Sequence, residues 1–233
     1  MDRIIGIDKS IIPACDVDIG KYEIIIRETY QIPQIGAYKI GALLALVYGF
    51  KRIVDIAKKY TNKPIIYDHQ KAGTDIPEIG KEFVYMLKKN WIDAVIIFPL
   101  SGPLTQASMI HAAKEVCLPV ISGGLMTHGN FLVSDGGYID DSSVESMYLN
   151  SHKLGINNFV VPGNKPTIIK RLYNLLSIDD RHPIFYAPGF IAQGGVLSEA
   201  AQNAGSSWHA IVGRAIYESK NIQKTVSELI SSL

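Results

Sequence analysis

Short apolar runs recur along this chain, and each gives way to a longer stretch in which apolar positions return every three or four residues. The first pattern is that of a buried strand, the second that of a helix with one apolar face. Strands are predicted over 11–17, 37–41, 64–67, 94–98, 118–122, 158–161, 183–187 and 208–212. Helices are predicted over 19–30, 41–60, 78–90, 105–115, 142–155, 165–176, about 197–204, and 214–233. In the second helix Leu43, Leu44, Leu46, Val47, Ile53 and Ile56 make the apolar side. Only 126–141, MTHGNFLVSDGGYIDD, breaks the alternation, and its turn formers predict a long loop.

Strands that alternate with helices pair in parallel through right-handed crossovers. Eight such units in 233 residues predict an α/β protein, a single-domain (β/α)8 TIM barrel over 1–233. The rival arrangement, a doubly wound open sheet, calls for an early Gly-x-Gly-x-x-Gly turn, which this sequence lacks.

Composition narrows the partners. A net charge of +1 implies no surface for a polyanion, so no nucleic-acid partner is expected. Cys15 and Cys117 lie in apolar segments and read as reduced core thiols. No apolar run approaches the ~20 residues of a membrane span, and the opening MDRIIGIDKS lacks the apolar stretch of a signal peptide. The expected setting is the cytoplasm, with no membrane partner. The six His are scattered, without an HxxxH or HExxH pair, and neither a metal nor another cofactor is expected.

Candidate chemistry concentrates in 64–80, PIIYDHQKAGTDIPEIG. A buried strand runs straight into Asp68, His69, Gln70, Lys71 and Asp75, and Asp75-Ile-Pro-Glu reads as the capped start of a helix. In an α/β barrel, ligands bind at this end of the strands. A Lys between carboxylates is held charged and aimed, as a cationic proton donor must be. The loops after strands seven and eight are where such barrels hold phosphates. Here they are Pro188-Gly-Phe-Ile-Ala-Gln193-Gly194-Gly195, rich in accessible backbone N–H groups, and Gly213-Arg214, which brings a guanidinium.

Asp16 after strand one, Lys39 on strand two, the Asp/Lys/Asp cluster after strand three, APGFIAQGG and IVGRAIY together resemble the orotidine 5'-phosphate decarboxylase family. The resemblance runs in order along nearly the whole chain and is most specific in the last two segments. It implies that Lys71 protonates C6 of the pyrimidine and that Asp68 lies beside the substrate carboxylate. It implies that Asp16 binds the ribose and that Lys39 belongs to the charged network. It further implies that Thr127 stands against the pyrimidine amide, that Gln193 bridges phosphate and pyrimidine, and that Arg214 holds the phosphate with Pro188, Gly194 and Gly213 around it. The chain departs from the family in spacing: Asp68-x-x-Lys71-x-x-x-Asp75 has one residue more in each gap than Asp-x-Lys-x-x-Asp. Side chains alternate along a strand, so a bulge must absorb the insertion, and Gly73 is placed to allow one.

The function implied is conversion of orotidine 5'-phosphate to uridine 5'-phosphate in pyrimidine biosynthesis. The assembly implied is a homodimer in which Asp75 reaches the partner's site. The helix over 78–90, with Phe83, Val84, Tyr85, Met86 and Leu87, offers apolar surface for the interface. Two alternatives remain at this stage, a Mg2+-dependent sugar-phosphate decarboxylase or aldolase of the same superfamily and a non-catalytic nucleotide-binding homologue.

Overall fold

A computed structural model describes residues 3–69, 72–178, 181–190, 197 and 202–233 of the protein. Eight parallel strands close a barrel in sequence order, the last pairing with the first. They are β1 (Lys9–Cys15), β2 (Tyr38–Gly41), β3 (Ile65–Asp68), β4 (Ala94–Ile97), β5 (Val120–Ser122), β6 (Asn158–Val160), β7 (Ile184–Ala187) and β8 (Trp208–Val212). All eight predicted strands are present, most shifted or shortened by a residue or two. The helices around them are α1 (Ile19–Thr29), α2 (Ala42–Tyr48), α3 (Phe50–Lys58), α4 (Ile79–Lys89), α5 (Pro103–Glu115), α6 (Asp141–Lys153) and α7 (Pro166–Leu176), followed by helices Arg214–Tyr217 and Ile222–Ile230. The helix expected over about 197–204 falls largely outside the described residues.

Alternate residues of each strand face the lumen, because side chains along a strand point to opposite faces. Ile12, Ala14, Ile66, Ala94, Ile96, Phe98, Ile121, Val160, Tyr186 and Ile211 form one cluster there. The opposite faces join the helices in a second, larger cluster. Burying both faces explains why the strands read as unbroken apolar runs. The lumen has a polar layer as well: Ser10 Oγ is 2.8 Å from His209 Nδ1, and the Tyr186 hydroxyl donates to Asn158 Oδ1 at 3.3 Å. His209 is fully buried and packs against the Tyr186 ring.

Five expectations are corrected. The single helix over 41–60 is two helices, α2 and α3, parted at Gly49 with φ of 73°. Of the apolar side assigned to it, Leu44, Ile53 and Ile56 are buried, whereas Leu43, Leu46 and Val47 are 76%, 78% and 69% exposed and face away from the core. The final helix is also two, separated at Asn221, whose side chain caps the second by accepting from the Lys224 N–H. Asp75 is no helix cap: α4 begins at Ile79 with Glu78 in the cap position, and the Asp75 carboxylate accepts from the next residue's N–H instead. Cys117 is exposed, at φ of 51°, while Cys15 is buried as expected.

Candidate active site

At the C-terminal end of the strands lies a cavity of about 230 Å3. Lumen-facing alternation delivers the charged residues to it. Asp16 follows β1, Lys39 lies within β2, and Asp68 ends β3. Strand register sets them side by side, Ala14 opposite Lys39 and Gly41 opposite Asp68. Lys39 Nζ donates to Asp68 Oδ2 at 2.9 Å and to the two Asp16 oxygens at 3.1 and 3.3 Å. Burial alone would push the Lys39 ammonium toward its neutral form. The charges of Asp68 and Asp16 more than offset this and raise its pKa, so it stays protonated. Asp68 Oδ1 is buried and has no hydrogen-bond partner among the described residues. A buried carboxylate oxygen in that state is costly to the fold and available to a ligand or donor.

Thr127, Pro188, Gly189, Gly213 and Arg214 also line the cavity. Among the described residues Arg214 makes no salt bridge, so its guanidinium is open to an anion. Arg214 begins a helix of four residues rather than the long one expected, so the side chain, not a helix dipole, is the main cationic feature there. The Asn164 amide holds the Thr127 carbonyl at 3.1 Å. The rest of the lining is largely apolar: Ile96, Phe98, Leu125, Met126, Val160, Phe190 and Ile211, with Tyr217 at the rim.

The cavity thus gathers Asp16, Lys39, Asp68, Thr127, Pro188, Gly213 and Arg214. Asp75 is not among its lining; it is exposed on the loop before α4, where its carbonyl accepts from Thr105 Oγ1 at 2.8 Å. Lys71, Gln193 and Gly194 lie outside the described residues. The apolar lining and Tyr217 escaped the sequence reading. An apolar residue at a strand end looks like core, although Tyr217 sits one helical turn beyond Arg214, a spacing that could have marked it.

A family model described as "Orotidine 5'-phosphate decarboxylase / HUMPS family" matches residues 25–229. The chain belongs to this family. Among relatives named orotidine 5'-phosphate decarboxylase, one from Thermoplasma volcanium is 32% identical over 222 residues, covering 95% of this chain and 92% of its own. One from Methanococcus maripaludis is 30% identical over 209 residues, covering 89% of each chain. The solved orotidine 5'-monophosphate decarboxylase of Methanocaldococcus jannaschii, complexed with inhibitor BMP, matches the fold with a TM-score of 0.84 at 24% identity, over 97% of this chain and 99% of that one.

Within the orotidine 5'-phosphate decarboxylase family, the longer strand-three spacing of this chain is bracketed by fixed contacts in the described residues on either side. Beyond Asp68, the Ala72 N–H donates to the His69 carbonyl at 2.7 Å. The Ala72 carbonyl accepts from the Phe98 N–H at 2.8 Å. Gly73, at φ of 92°, lies so close to β4 that an added Cβ would meet the Phe98 carbonyl oxygen at 2.9 Å. His69 turns to the helix side, where its Nδ1 meets the Tyr67 hydroxyl and its ring packs against Phe83. The extra length is therefore flanked by two anchored points, His69 and Ala72–Gly73.

Proposed function

We propose that this chain decarboxylates orotidine 5'-phosphate to uridine 5'-phosphate, a step of pyrimidine biosynthesis, without a metal or organic cofactor. The observation that carries the reading is the Asp16–Lys39–Asp68 network, which shares its cavity with Arg214, a guanidinium without a salt bridge among the described residues. It puts a fixed charge array and a cationic side chain suited to an anion in one cavity. Arg214, with Gly213, Pro188, Gly194 and Gln193, takes the phosphate. Asp16 takes the ribose, and Thr127 faces the pyrimidine amide. The apolar lining excludes water from the ring, which strengthens every charge interaction there. Loss of CO2 leaves an electron pair on C6 with little resonance help. Lys71 stabilises that charge and then donates its proton to C6, while Asp68 and Lys39 hold the array in place. Phosphate binding, remote from the broken bond, contributes by ordering the loops around the ring.

The family model also covers HUMPS members, so a Mg2+-dependent sugar-phosphate reaction is the second reading. Against it, Lys39 Nζ already fills the space between Asp16 and Asp68, where a cation would otherwise sit. Conversion of orotidine 5'-phosphate at equal rates with and without EDTA is the expected result. Turnover that collapses on chelation supports the second reading; binding of uridine 5'-phosphate with no turnover supports a non-catalytic homologue.

The active unit in this reading is a homodimer, with Asp75 entering the partner's cavity. Asp75 is exposed and is not among the described residues that line the cavity of its own chain. Leu43, Leu46 and Val47 on α2, Ile76 beside Asp75 and Leu104 at the start of α5 are all more than half exposed. The interface surface is therefore this group rather than the body of α4, whose Val84 and Leu87 are buried within the chain. Asp75→Asn and Lys71→Ala, each nearly inactive alone, should regain activity when co-assembled, because one site of the mixed dimer is then intact. Proven mixed dimers without activity would return Asp75 to its own subunit.

A further inference from the structure

Gly41 ends β2 opposite Asp68 and directly precedes α2. Its backbone, at φ of −98° and ψ of 175°, is extended and open to any residue. Nothing about the chain's path there calls for glycine. The surroundings do: a Cβ on Gly41 would stand 2.2 Å from Asp16 Oδ1, and among the described residues beyond its two chain neighbours the only other atom within 4 Å would be Asp16 Cγ. The missing side chain leaves a space of one methyl group, and the Asp16 carboxylate occupies it while bonding Lys39.

We propose that Gly41 is a positioning residue for the reaction: its bare Cα holds the Asp16 carboxylate on Lys39 and so fixes the ribose end of the charge array. The inference rests on the reading that this cavity binds a nucleotide. Asp16 is the mobile partner in the pair, with its side chain 45% exposed against 8% for Lys39. A methyl group at 41 therefore swings Asp16 toward solvent and leaves Lys39 with Asp68 alone. The fold has no reason to fail, since the obstructing atoms are the end of one flexible side chain.

A double-mutant cycle tests this. Gly41→Ala should melt within a few degrees of the wild type yet lose about ten- to a hundredfold in kcat/KM for orotidine 5'-phosphate, as expected for one charge-assisted contact. Asp16→Ala should lose at least as much. Adding Gly41→Ala to Asp16→Ala should cost nothing further, because the carboxylate it displaces is gone. Additive losses would overturn the proposal, as would a Gly41→Ala enzyme with wild-type kinetics. A crystal structure of Gly41→Ala gives a readout that needs no substrate: Asp16 should stand more than 4 Å from Lys39 Nζ, and an unmoved pair overturns the proposal. That separates it from the functional reading, which fails alone if the displacement is seen in a protein that never turns over the nucleotide. Should Gly41→Ala fold poorly, the double variant must restore folding, and failure to do so shows that something other than Asp16 fills the space.

Discussion

Arg214 stands at the cavity without a salt bridge among the described residues, whereas Lys39 is clamped between two carboxylates. The first is available to a ligand and the second is already spent on holding Asp16 and Asp68 in place. Arg214→Ala should therefore weaken uridine 5'-phosphate by about ten- to a hundredfold, the equivalent of roughly 1.5–3 kcal/mol for a charged hydrogen bond. Uridine itself should bind the variant and the wild type alike. Calorimetry on both ligands checks this, and equal losses would place Arg214 away from the phosphate. Single residues of this kind were legible in the sequence because a charge at the end of an apolar run has no structural reason to be there. Phe98, Leu125 and Val160 were not, since a residue lining an apolar cavity and one filling a core have the same chemistry.

Glycine decides the elements that the apolar pattern misassigned. The periodicity over 41–60 continues unbroken through Gly49, so nothing in the spacing marks the break between α2 and α3. The exposed face of α2 was illegible for a related reason: hydrophobicity says that a surface seeks cover, not whether the cover comes from the same chain. Gly73, the position the sequence offers for absorbing an inserted residue, lies at positive φ against the backbone of Phe98 and Pro99. Gly73→Ala carries the conformational penalty of about 1–2 kcal/mol for a side chain in that region, plus a backbone collision that no rotamer relieves. Urea unfolding should show it less stable by about 2 kcal/mol or more. A stability equal to the wild type would mean that the backbone at Gly73 has no fixed path.

At the scale of the whole barrel, closure concentrates long-range order in one seam. The seam carries the buried His209, whose desolvation pushes the imidazole down to about 3 from its ordinary value near 6.5. Between those two pH values the unfolded chain binds a proton that the folded chain refuses, so stability falls as pH falls through that window. His209→Gln should be less stable at neutral pH but lose less on going from pH 6.5 to 4, as measured by urea midpoints; parallel declines would exonerate His209. The alternation of strands and helices foretold the barrel, but the polar layer inside it was invisible, because Ser10, Asn158 and His209 are separated in sequence and meet only across the lumen. The same seam governs synthesis. Ser10 and His209, partners across β1 and β8, are 199 residues apart, and loop-closure entropy must be overcome before their contacts can offset it. While the chain is being made, β1 has one edge with nothing to pair with until almost the last helix is out of the ribosome. A ribosome that stalls anywhere before Trp208 leaves an open sheet with two bare edges, a substrate for chaperones and proteases in place of a smaller working barrel.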